Sequence, residues 1–197
     1  MNLCRYFLCF AVFSFIGWAY ESAYYTIQRR KLVNSGFLST CFCPIYGIGA
    51  LLDLLLLGWI ENACVLFLAG IVVTGVLEYF VSWMLEALFG RRWWDYTGWP
   101  LNINGRVCAL GALAFGIMTV LLVKFIAPFT IGMISNMSLI TTYILTAVIA
   151  FVMVADTVKS VKNTDNAKLW YVEKQAEIFE NFEDSTVVKK IKNVLKR

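Results

Sequence analysis

The chain has no histidine. That removes the Ser-His-Asp, Cys-His and His-Glu-x-x-His arrangements in one step. It also lacks a Gly-x-x-x-x-Gly-Lys-Ser/Thr loop, so it does not itself hydrolyse ATP in the P-loop manner. Charge is scarce: 15% of residues are charged and 60% are hydrophobic, whereas soluble domains average about 25% and about 45–50%. Basic runs interleaved with aromatics are missing before the C-terminal tail, which argues against nucleic acid as a partner. Cys41-x-Cys43 has no second pair to complete a zinc site. No metal or cofactor site is expected, and no catalytic set.

What fills the chain instead is apolar sequence, with a mean hydropathy of +0.70. Five runs stand out, at residues 3–27, 43–57, 62–89, 105–127 and 139–158. Four of them reach the roughly 20 residues that cross a hydrocarbon core about 30 Å thick. The second is shorter, opens on Pro44 and contains Gly47 and Gly49. It spans if Phe42 and Trp59 are counted, or else it is broken or re-entrant. The expectation is an all-α transmembrane bundle of five spans over residues 1–158, a multi-pass protein of the cell membrane, with a tail at 159–197. The first run lacks a basic leader and a small-x-small site, so no cleaved signal peptide is expected.

The cations set an expected orientation. Arg29, Arg30 and Lys31 lie in the first link, and Arg91, Arg92 and Arg106 in the third. The second link has none, and the fourth, read as Pro128 to Ser138, has none. The tail is rich in lysine. By the positive-inside rule the odd links and the C-terminus face the cytoplasm, with the N-terminus outside.

A few polar groups break the apolar pattern. Glu78 lies about ten residues, or roughly 15 Å, from the end of its helix, near mid-membrane. Carboxylates at such depth are rare and default to function. Ser82 and Glu86 follow at four-residue spacing on one broad face, and Glu21 lies in the inner half of the first run. Arg92, Trp94, Asp95, Asn102 and Arg106 crowd the third link, and Tyr46 follows Pro44 close to the same depth. Together Glu21, Tyr46, Glu78, Ser82, Glu86, Arg92, Trp94, Asp95, Asn102 and Arg106 form a candidate polar cluster, in which arginines of the link stabilise the buried acids. Blander readings stay open. Glu86, Arg91, Arg92, Trp93 and Trp94 suit an interfacial belt, Asp95 and Arg106 suit a structural ion pair, and Asn102 and Asn104 are turn formers. Asp53 falls in the outer half. A Cys4–Cys64 disulfide has no positive support, and buried thiols packing as small hydrophobes is the simpler account. Gly70 and Gly75 with Gly105, Gly111 and Gly116 suggest close packing of the third and fourth helices.

The tail reads as two amphipathic stretches, at 168–182 and after Ser185, the second with a lysine face suited to an anionic leaflet or a partner protein.

Several motifs in order carry a family resemblance: Gly17-Trp18-x-x-Glu21, Asn34-x-Gly36-Phe37-Leu38, Cys43-Pro44-Ile45-Tyr46-Gly47-x-Gly49-Ala50, Glu78-Tyr79-x-x-Ser82-Trp83-x-x-Glu86, Arg92-Trp93-Trp94-Asp95-Tyr96 and Asn102-x-x-Gly105-Arg106. This set resembles the bacterial membrane family called putative ABC transporter type IV, or CmpB-like permeases, over about residues 10 to 120. Thr40-Cys41 stands where that family tends to have Gly-Pro. The resemblance implies a permease subunit in the lipid bilayer, working with a separate ATPase subunit or as a homo-oligomer, and it transfers no substrate. The alternatives are a membrane-embedded lipid-binding or lipid-modifying protein, with Arg92, Arg106 and Trp94 on a phosphate headgroup, and an adaptor acting through its tail.

Overall fold

The computed structural model describes residues 2–90 and 92–162. The tail, with its two expected amphipathic stretches, and Arg91 lie outside the described residues. The described residues are mainly helical, with one small hairpin and two longer non-helical stretches, 30–43 and 92–101. In order come α1 (Leu3–Arg29), α2 (Pro44–Leu57), α3 (Ala63–Phe89), the strands β1 (Asn102–Ile103) and β2 (Val107–Cys108), α4 (Ala109–Leu121), a π-helical turn (Leu122–Ile126), α5 (Ala127–Ser135) and α6 (Leu139–Lys162).

Among the described residues four helices are long and apolar enough to cross a membrane, at Leu3–Ile27, Ala63–Phe89, Ala109–Ser135 and Leu139–Lys162, rather than the five spans expected. The α2 helix has only 14 residues, about 21 Å at 1.5 Å per residue, which falls short of the core. Its start explains why. The Cys43 amide donates to the Ser14 carbonyl oxygen at 3.0 Å, and Tyr46 packs against Gly17 so closely that a Cβ there would collide with its ring. Hence α2 begins against the middle of α1, and its C-terminus reaches the end where α1 starts. The last three turns of α1 run on beyond it, alongside the non-helical stretch that descends from Arg30 to Cys43.

Side chains hold that descent in place. The Trp18 indole donates to Asn34 Oδ1 at 2.6 Å, Asn34 Nδ2 donates to the Ser39 carbonyl oxygen, and the Ser35 amide donates to Ser22 Oγ. From α6, Asp156 Oδ2 accepts both the amide and the hydroxyl of Thr40 at 2.7 Å. Ser35 and Leu38 of this stretch are buried against the helices.

The second half of the bundle repeats the plan. Gly70 meets Thr119, and Gly116 meets Phe67 and Ile71, so α4 packs antiparallel on α3 through small residues as expected. That register sets the start of α4 beside Glu78, and again about three turns of the long helix run past it. The link between them doubles back. Gly90 ends α3 in a left-handed cap, and Trp93 then packs edge-on against Phe89 and Phe37. The hairpin pairs Asn102 with Cys108 and Ile103 with Val107, turning through Asn104 and Gly105 at φ 52° and 69°. The Arg106 amide donates to the Ile103 carbonyl oxygen at 3.0 Å, which puts Asn104 and Gly105 at the centre of a turn with both φ positive and leaves Arg106 as an extra residue before the ladder.

Two expectations about the fourth run need correcting. Its first residues, 105–108, belong to the hairpin, and the stretch read as a link from Pro128 is helical to Ser135. Proline normally ends a helix because it clashes with the carbonyl four residues back. Here the preceding turn widens: the Ala127 amide reaches back five residues to the Leu122 carbonyl oxygen, and Pro128 is accommodated as α5 begins.

Candidate functional site

Both entrant segments meet at one end of the bundle. Tyr25 of α1, Trp99 of the link and Cys108 of β2 share a small core, joined by Val33 and Tyr96. We call this the link end. The expected polar cluster divides there into two groups.

The first is a clamp around Glu86. Its Oε1 accepts from Arg92 Nε at 3.0 Å, and its Oε2 is bonded to Arg106 Nη2. Arg106 also donates to Ser82 Oγ at 3.2 Å and lies over the Tyr79 ring at 5.6 Å. Three groups from the link and hairpin are thus fastened to one face of α3, since the Asn104 amide donates to the Tyr79 hydroxyl at 3.0 Å. The backbone completes the clamp: Arg92 Nη1 donates to the Asn104 carbonyl oxygen, and the Trp94 indole to that of Arg106. Asp95 does not pair with Arg106, as one reading had it. Its nearest cation contact is Arg92 at 3.7 Å, while it accepts the Thr97 amide and hydroxyl. Asn102 bridges Thr97, Trp99 and Gly105 through backbone bonds, as a turn former does.

The second group is built on Glu78. Only 6% of the residue is exposed. Oε1 accepts from the Tyr96 hydroxyl at 3.1 Å, and Oε2 is buried without a partner. Arginine was the expected partner. Arg106 instead points one turn further along, to Ser82 and Glu86, and a tyrosine from the link takes its place. Burial lifts the Tyr96 phenol well above its ordinary value, with Glu78 adding to the rise, so Tyr96 is held as a donor. Burial likewise raises the Cys108 thiol, which lies within electrostatic reach of Glu78.

Across the bundle, α1 and α2 provide a matching set. Cys43 Sγ contacts Glu21 Oε2 at 3.6 Å, and Tyr46 lies within electrostatic reach of Glu21, Cys43 and Tyr96. The structure therefore brings Glu21, Tyr46 and Glu78 into one neighbourhood, through Tyr96, and gathers Ser82, Glu86, Arg92, Trp94 and Arg106 into the adjoining clamp. Among the described residues no cluster of three or more His, Cys, Asp or Glu could hold a metal ion.

Sequence reasoning passed over three polar contributors. Tyr96 is legible in the sequence as one of the crowded residues of the third link but was not among the candidate site residues. Thr119 was not singled out, yet it donates to buried Asp53 at 2.6 Å. Asp156, buried near the end of the last apolar run, was missed, although an acid inside such a run is the same signal that drew attention to Glu78.

Among curated proteins and among solved structures, nothing matches this chain. A family pattern does match, that of the putative ABC-transporter type IV proteins, over residues 8–161. That match runs from the second turn of α1 to the last turn of α6, through both hairpins and every described candidate residue. The chain belongs to the putative ABC-transporter type IV family of membrane proteins.

Proposed function

We propose that the chain is the membrane-embedded subunit of a transporter, with its interior polar site between Glu21, Cys43 and Tyr46 of the first hairpin and Glu78, Tyr96 and Cys108 of the second. The observation that carries this reading is Glu78, buried in an apolar helix with one tyrosine bond and a second oxygen left bare. Retaining such a group costs stability, which favours a functional reason for it. Two helix N-termini, those of α2 and α4, open at this depth toward the same neighbourhood. Interrupted helices of that kind are a recurring way to build solute and ion sites in transporters. The basic loops favour a cytoplasmic link end, where a separate ATPase subunit would dock, since the chain has no nucleotide-binding loop of its own.

The test is a deletion strain complemented with wild type or Glu78→Gln, with intracellular and extracellular small molecules compared. Equal amounts of chain in the membrane, with Glu78→Gln reproducing the deletion profile, is the expected result. A wild-type profile from that variant overturns the reading. The lipid-headgroup alternative has less support, because Arg92 and Arg106 are both committed to Glu86.

A further inference from the structure

Outside the link-end site lies a second buried acid with the same incomplete bonding. Asp53 on α2 is 3% exposed. Its Oδ2 accepts from Thr119 Oγ1 at 2.6 Å, and its Oδ1 is buried without a partner. Gly70 of α3 presses on Thr119, where a Cβ would collide with the side chain, so the hydroxyl is fixed from behind. Asp53 and Glu78 therefore share one arrangement: a single neutral hydroxyl donor on one oxygen, nothing on the other, and no ion pair among the described residues. Both lie on the seam of α2, α3 and α4. Gly70, at the level of Asp53, is two turns from Glu78 along α3, about 12 Å.

Among the described residues the surroundings of each acid offer no counter-charge. Around Asp53, α3 has no charged residue before Glu78, and α4 has none at all. Lys124, in the π turn, donates to the Ile60 carbonyl oxygen at 2.9 Å, and Arg5 of α1 donates to that of Met137. Cys9 of α1 is a buried thiol in the neighbouring core. Around Glu78 stand Tyr96 from the link, Cys108 from β2, and Tyr46 of α2 beyond Tyr96, while Arg106 is held by Ser82 and Glu86. A bare carboxylate oxygen in apolar packing is heavily penalised. A proton on that oxygen removes the charge and leaves the hydroxyl bond to the other oxygen intact.

We propose that Asp53 and Glu78 are a pair of proton-binding sites, stacked at two depths on the α2–α3–α4 seam, so that this chain takes up protons within its membrane-embedded core. The Glu78 half builds on the transport reading above, whereas Asp53 lies outside that site.

The test uses the full chain in phospholipid nanodiscs, treated with dicyclohexylcarbodiimide over a pH series. This apolar reagent modifies a buried carboxyl in its protonated form, and peptide mass spectrometry locates the adduct. Adducts are expected on both residues, each falling about tenfold per pH unit on the alkaline side of its midpoint. Asp53→Asn should abolish the first and leave the second. Infrared difference spectra of wild type against Asp53→Asn and against Glu78→Gln read the protonated carboxyl stretch without any reagent, which covers a site the carbodiimide fails to reach. Lack of that stretch at either residue, or adducts independent of pH, overturns the proposal. Protection by sodium at fixed pH also overturns it, by assigning the bare oxygens to a metal cation. The readout needs no solute: pH-dependent labelling with an unchanged solute profile would retain the proton pair and remove the permease reading, and the reverse would remove only the pair.

Discussion

Cys43 and Cys108 occupy corresponding places in the two hairpins. Each is the residue capping the N-terminus of a helix that starts halfway along its neighbour. Each is set against a carboxylate of the preceding long helix, Cys43 at Glu21 and Cys108 within reach of Glu78. The bundle is thus built twice from one plan, a 27-residue helix, an entrant stretch and a second helix, and the acids fall where the two copies face each other.

Removing the Tyr96 hydroxyl takes from Glu78 the hydrogen bond to its Oε1. Tyr96→Phe is expected to destabilise the chain by about 1–3 kcal/mol, the cost of leaving a buried polar group unsatisfied. Thermal unfolding in detergent, compared with Tyr6→Phe at the exposed start of α1, measures it; equal melting temperatures would refute it.

Asp156 serves the entrant loop through two bonds to Thr40. Hydrogen bonds to an ionised group contribute about 1.5–3 kcal/mol each. Asp156→Ala should therefore raise amide exchange across residues 35–43 well before it loosens α3, and Asp156→Asn, which keeps an acceptor, should do so less. Hydrogen–deuterium exchange read by mass spectrometry distinguishes the two.

The clamp predicts an order of effects. Arg106 is buried and bonded to both Ser82 and Glu86, while Arg92 is more open to solvent. Arg106→Met should lower the melting temperature more than Arg92→Met, and Arg92 should lose its contribution first as salt is raised. A larger effect from Arg92 would contradict this description of the link.

Gly70 and Gly132 differ sharply in their surroundings. A Cβ at Gly70 meets Thr119, whereas one at Gly132 meets nothing within 4 Å. Gly70→Ala is expected to cost about 1–3 kcal/mol through overpacking, and Gly132→Ala to be neutral or slightly stabilising.

Among the described residues none of the six cysteines is in a disulfide; Cys64 is exposed and Cys43 and Cys108 are buried. A membrane-impermeant maleimide should label Cys64 on intact cells if the basic loops set the orientation as expected, and should leave Cys43 and Cys108 unmodified. Cys64 labelling only after permeabilisation would invert the bundle.

Helix existence was legible because it follows from local composition: apolar runs of sufficient length give α1, α3 and α6 nearly as expected. The second run was legible as a helix, but it was expected to be a fifth span, and its 14 residues leave four helices among the described residues long and apolar enough to cross a membrane. The descent from Arg30 to Cys43 was not. Its bonds join Trp18 to Asn34, Ser22 to Ser35 and Thr40 to Asp156, pairings that no periodicity encodes. The partner of Glu78 was misjudged for a similar reason. Charge suggested arginine, but hairpin geometry delivers Arg106 one turn along and leaves a phenol at the acid. The end of the fourth run was misplaced because Pro128 looks like a stop, and a single widened turn cancels that signal.

The double bond between Thr40 and Asp156 has a mechanical consequence. The two bonds tie the last helix to the backbone that leads into the first hairpin. A displacement of α6 relative to that backbone has to break or carry this pair of bonds, three residues before the start of α2 at Cys43.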